Sequence, residues 1–322
     1  MVACVITVAL LGTWEGFWRS RGFRPVVGDN MHLWSLARTR VTEGGPSTVV
    51  LVGSSIMQVA VDLDLLARET RGLEPVQLAM TSASSLPVLE DLAEDPSFRG
   101  IAVCEHAGAT LGLTTRAAER IPRAAIDFHR RATSSPFQAA ERRLRVFTQE
   151  RVVFLSRWLA PDQLARAFKA GKWPSPPRRV MGVDRAMTMV YDYVPAQVAP
   201  GVIGLIQREA AGKEPLTTDD ALQANLRRIA AAVEAIRRRG GAVVFVRFAC
   251  EGPFREQSQQ RISINWDPLK RQIDAVWLDL EGEAAAAELR CSDGAHLDGE
   301  SQKRFTRILA RVLNEQVLSG RR

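Results

Sequence analysis

The chain is short of the residues that build metal centres and disulfide scaffolds. Its 322 residues include four cysteines and four histidines, and the cysteines show no ligand-like spacing, which excludes a zinc-finger arrangement. No cluster of ligand residues implies a metal or an organic cofactor. No internal repeat or low-complexity tract is present, so a solenoid or fibrous fold is excluded. The first turn, "GSSIMQ", carries a single glycine. It therefore lacks the phosphate loop that a cytoplasmic, flavodoxin-like binding protein would need.

What is present is ordinary for a globular protein: 46% hydrophobic and 25% charged residues, enough to bury a sizeable core. The net charge of +7 comes from 43 basic and 36 acidic residues. The excess is scattered through short arginine groups such as "ERRLR" and "RRRGG". Without an RNA-binding signature or a basic–aromatic repeat, it reads as solvated helix faces, and no nucleic-acid partner is expected. Cys4 and Cys104 sit in apolar contexts and read as small hydrophobes. Cys250 and Cys291 sit in turn-like sequence, where a disulfide is open to them outside the cytoplasm.

Residues 1–24, "MVACVITVALLGTWEGFWRSRGFR", form an apolar run with Trp14 and Trp18 near its far end. It reads as a membrane anchor or an interfacial helix, with a buried core helix as the alternative. Arg19, Arg21 and Arg24 all follow the run. By the positive-inside tendency they would leave the rest of the chain in the cytoplasm.

From residue 45 to 319 the pattern is that of an α/β domain. "STVVLVG", "PVQLAM" and "GIAVCEH" read as buried strands separated by the helices of "DLDLLARETRG" and "SLPVLEDLAED". The pattern lapses at about 107–215, read as a mostly helical insertion over the carboxyl edge of the sheet. It resumes with a long amphipathic helix bearing Leu222, Leu226, Ile229, Val233 and Ile236, then strands at Ala242–Phe248 and Ala275–Leu280. A closing helix runs from Glu300 to about Val317. The expected fold is a three-layer α/β/α domain on a five-stranded parallel, flavodoxin-like sheet.

In such sheets ligands bind beyond the carboxyl ends of the strands. Ser54 and Ser55 follow the first strand there. A serine is a poor nucleophile until a base takes its proton. Asp293 and His296, three apart in "SDGAHLD", offer an imidazole oriented by a carboxylate. As a structural alternative, "SDG" alone makes a good turn. His32 and His129 read as surface or packing residues.

"VVLVGSS" and "SDGAHLD" together resemble the first and last blocks of the SGNH hydrolase superfamily, the GDSL-type esterases and related acyltransferases. The match covers roughly Ser47–His106 and Leu222–Val317. It is closest to the membrane-anchored branch found with bacterial cell-surface polysaccharide modification. The resemblance implies Ser55 as nucleophile, His296 as general base and Asp293 as its orienting partner. It implies oxyanion donors at Ser55, Ser82, Ala83 and His106. It further implies an acyl-ester or glycan substrate, an extracytoplasmic domain and a membrane acyltransferase as partner. The departures are specific. Ser54 stands where the family has an acid, and small residues replace the oxyanion glycine. Glu105 and His106 stand where the family has an asparagine block. A catalytically idle glycan-binding or scaffold module is the competing expectation.

Overall fold

A computed structural model describes residues 2–70, 72–105, 116–132, 136–174, 176, 179–189, 219–248, 266–280, 284–291 and 294–319. Helices α1 (Val2–Ser20) and α2 (Met31–Gly44) precede strand β1 (Thr48–Val52). Two short helices, α3 (Ser55–Ala60) and α4 (Leu63–Glu69), lead to β2 (Glu74–Gln77). Then come α5 (Leu86–Glu94), β3 (Ile101–Glu105), and helices α6 (Arg116–Ala132), α7 (Pro136–Arg151) and α8 (Pro161–Lys169). A two-stranded antiparallel ribbon, β4 (Arg179–Met181) and β5 (Met187–Met189), follows. The chain closes with α9 (Asp219–Arg238), β6 (Ala242–Arg247), α10 (Asp267–Gln272), β7 (Val276–Asp279) and α11 (Gly299–Val312). α11 continues through a wider π turn to Leu318.

The main sheet has the order β2–β1–β3–β6–β7 and every pair is parallel. The fold is thus the expected three-layer α/β/α arrangement, with both sheet faces covered. Alternation along the strands explains why. Val50 and Val52 of β1 point into one core with Ala102, Val243 and Phe245, beneath α2, α5, α6 and α9. Val49 and Leu51 point into the other with Val103, Val244 and Leu278, beneath α3, α4 and α11. With both faces buried, the strands read as continuous apolar runs. Cys104 belongs to the first core, and burial pushes its thiol well up, so it behaves as a small hydrophobe.

The strand order reverses between β1 and β3, since β2 lies outside β1 while β6 and β7 continue beyond β3. This switch point opens a crevice at the carboxyl edge, where the turn after β1 and the end of β3 meet.

Polar groups also fasten the helical layers. Arg38 of α2 is buried and donates to Asp91 (2.7 Å) and Asp95 (2.9 Å) on and after α5. Removing the guanidinium leaves buried Asp91 with Arg130 (2.9 Å) as its remaining cation and takes the ion pair from Asp95, so Arg38→Ala is expected to lower unfolding free energy by about 2–3 kcal/mol in a denaturant titration. Arg166→Ala, which breaks an exposed pair with Asp162, should change it by under about 1 kcal/mol.

The segment between β3 and α9 departs from the expectation of a cover over the carboxyl edge. α6 packs against α2 and α5 and contributes Ala125 and Ile126 to the core, so it belongs to a helical layer of the sandwich. The β4–β5 ribbon does sit at the carboxyl edge. Arg185, fully buried at the ribbon's turn, donates to Gln77 O (2.8 Å) and Ala79 O (2.9 Å), at and just beyond the end of β2.

α1 is long and apolar enough to cross a membrane. Its residues from Val2 to Trp14 are exposed and Trp18 is its one buried residue, so the core-helix alternative is excluded.

Candidate active site

Gly53 ends β1 where the chain must pass against β3. A Cβ on Gly53 would lie 2.5 Å from both Cβ and Oε2 of Glu105. Glycine is therefore required by proximity. Glu105 is fully buried, and its carboxylate accepts three hydrogen bonds from the turn: Ser54 N (2.7 Å), Ser54 Oγ (2.7 Å) and Met57 N (3.1 Å). Burial, the largest influence, raises its carboxyl above the ordinary range, and those hydrogen bonds and the nearby His296 charge pull the other way.

This arrangement decides between the two serines. Ser54 Oγ caps α3 by accepting from Ile56 N (3.1 Å) while donating to Glu105. Its hydroxyl is spoken for, and its role is to hold the turn.

Ser55 begins α3 and is half-buried. Its Oγ lies 2.9 Å from Nε2 of His296, a residue 241 positions away. The closure is produced by α11. Gln302 Nε2 donates to Val59 O (2.6 Å), and Asp62 N donates to Thr306 Oγ1 (3.0 Å), tying α11 to both ends of the α3–α4 link. Asp298 caps α11 by accepting from Ser301 N (2.7 Å). His296 stands two residues before that cap, beside the Cys291–Leu297 bridge, and is itself buried. With its Nδ1 protonated, the imidazole presents Nε2 to the serine hydroxyl as an acceptor.

No protein-family model matches the chain, and no curated protein matches it.

Of the other expected site residues, Asp293, His106 and Cys250 lie outside the described residues. Ser82 and Ala83 follow β2, beside the turn, where Met80 N donates to Gly53 O (2.9 Å). Ala83 N is committed to Met80 O (3.1 Å), so it is not an open donor as expected. Ser82 is exposed, with a left-handed φ of 57°, and its N–H has no partner among the described residues. That backbone conformation favours glycine, the residue the resembled family carries in this turn. Ser55 N, first in its helix, likewise has no partner among the described residues. Two main-chain donors are thus open at this edge.

A cavity of about 380 Å³ adjoins the same loop, lined by Asp29, Thr81, Ser156, Trp158, Met181 and Met187 among others. Thr81 Oγ1 donates to Gln58 Oε1 (3.0 Å), one helical turn beyond Ser55, and Gln58 Nε2 donates to Asp29 (2.9 Å). Asp29 in turn pairs with Arg185 (2.7 Å). The cavity is mostly apolar with a few convergent polar groups, the usual make-up of a small-molecule site.

In the sequence Glu105 stands out only as a departure from a family block. Its bracing role was missed because a lone glutamate at a strand end carries no pattern. The available signal was an ionisable residue closing an otherwise apolar run, opposite a glycine-serine turn.

Proposed function

We propose that this chain is a membrane-anchored serine esterase or O-acyltransferase of the SGNH kind, acting on acyl esters, acetyl above all, of a cell-surface glycan. The observation that carries the reading is the 2.9 Å approach of His296 Nε2 to Ser55 Oγ. In the proposed reaction His296 removes the Ser55 proton as Oγ attacks the acyl carbonyl. The oxyanion of the tetrahedral intermediate is met by main-chain N–H groups, with Ser55 N and Ser82 N the open candidates. The C–O bond to the leaving alkoxide breaks as His296 returns the proton to it, leaving Ser55 acylated. Water or a sugar hydroxyl then gives its proton to His296 and attacks the acyl-serine; the acyl C–Oγ bond breaks as His296 passes that proton to Ser55 Oγ, which releases the product and restores Ser55 and the neutral imidazole. Asp293, three residues before the imidazole, is proposed to accept from its Nδ1. The glycan substrate, the extracytoplasmic location and an acyltransferase partner rest on the resemblance to the polysaccharide-modifying branch. The reading is tested with p-nitrophenyl acetate: the full chain in detergent should hydrolyse it, and Ser55→Ala should not. Equal rates for the two would refute it.

One observation favours the idle-module reading. At the position of the family's asparagine block, Glu105 turns its carboxylate to accept from the turn instead of donating to an oxyanion. An idle module would leave the ester intact and bind acetylated glycan as well after Ser55→Ala as before it.

A further inference from the structure

The last turns of α1 are fastened to the domain, which bears on what else would lie at a membrane. Glu15 accepts from Val153 N (2.9 Å) and Phe154 N (3.2 Å), capping the turn after α7. Arg19 donates to Arg151 O (2.8 Å). Trp18 is buried in a small core with Phe23, Val153 and Leu159. The base of α1 therefore does not hang on a loose tether: once α1 is in a bilayer, its neighbours stand at the bilayer surface.

Those neighbours are exposed aromatics. Trp14 stacks on Phe17 (6.0 Å between centroids), Phe17 meets Trp173 (6.1 Å), and Trp173 meets Phe168 of α8 (5.4 Å). Trp14, Phe168 and Trp173 are 41%, 49% and 56% exposed. The guanidinium of Arg21 lies over both Phe17 (4.7 Å) and Trp173 (4.3 Å). Arg24, Arg166, Lys169 and Lys172 are exposed on the same two segments, where Asp162 is the exposed acid. Ring faces that leave so much apolar area in water call for a cover. Tryptophan and phenylalanine amid cations suit the headgroup layer of an anionic membrane.

We infer that the α8–Trp173 face is a second membrane contact, continuous with α1, which lays this side of the domain against an anionic phospholipid surface. The inference stands whether or not Ser55 is a nucleophile.

The test uses the full chain with Cys4 and Cys250 replaced by serine, in nanodiscs of phosphatidylcholine and phosphatidylglycerol in equal amounts. Cysteines introduced one at a time at position 168 or 173 (Phe168→Cys, Trp173→Cys) are labelled with a water-soluble maleimide, each rate normalised to that after denaturation. Glu315→Cys, exposed on the far helix α11 extension, is the reference. Labelling at 168 and 173 should be slowed by about tenfold or more relative to Glu315→Cys, and less so in pure phosphatidylcholine. Rates matching the reference in both lipids would overturn the inference, as would equal protection in soluble detergent-free protein, which would indicate a cover from another polypeptide.

Discussion

His296→Ala is expected to lower turnover of a short-chain aryl ester by about 10³-fold or more, with little change in KM. The imidazole is the one group placed to take the Ser55 proton among the described residues, and loss of a triad member leaves only what binding and oxyanion donors supply. Fold and binding should survive, because α11 is held by Gln302, Thr306 and the Asp298 cap and not by His296. Kinetics with a coincident circular-dichroism spectrum check this. Retained turnover would mean that another base serves Ser55.

The second large effect concerns Glu105. Glu105→Ala removes the acceptor for Ser54 N, Ser54 Oγ and Met57 N in a place without water access. Each buried donor left unpaired costs about 1–3 kcal/mol, so a loss of about 3 kcal/mol or more in unfolding free energy is expected. Activity should fall further than stability explains, since the same turn aims Ser55. Gly53→Ala should reproduce the defect from the opposite side, its Cβ driven into Glu105 and, at 3.0 Å, against Met57 Cβ. Glu105→Gln keeps one carbonyl acceptor and should be far milder.

The parent and Glu105→Gln also differ in pH dependence. The Glu105 carboxyl is raised by burial above its ordinary value. An unfolded chain then loses this proton before the folded chain does. The stability it contributes is complete below about pH 4.3 and declines as pH rises through the folded value. Glu105→Gln has no such decline, so its stability relative to the parent should rise with pH across that window. Denaturant titrations at several pH values check the sign.

The fold was legible where burial is two-sided. Ser47–Gly53, Gly100–His106 and Ala242–Phe248 are continuous apolar runs because both faces of β1, β3 and β6 are covered. The position of α6 was not legible. Its sequence is arginine-rich, but Arg123 and Arg130 of α6 reach Glu90 and Asp91 of α5, and Arg228 of α9 reaches Glu90 and Glu119, so its charges mark contacts that look like solvated surface. At the site, the serine and histidine were legible as residue types at the two ends of the domain. Their convergence depends on α11 docking through Gln302 and Thr306, which no spacing reveals. The choice between Ser54 and Ser55 was open to a motif but is explained by Glu105, whose grip on Ser54 leaves only its neighbour near the imidazole. Ala83 was credited with an open N–H because a sequence does not show that a turn has already used it.

In the proposed reaction Ser55 is made reactive by His296. That reactivity is read by intact mass and peptide mapping after treatment of the full chain with a fluorophosphonate. A single adduct is expected, carried on Ser55 and nearly absent in the folded His296→Ala variant. A folded protein that stays unmodified at Ser55, or takes the label on another serine, would contradict it.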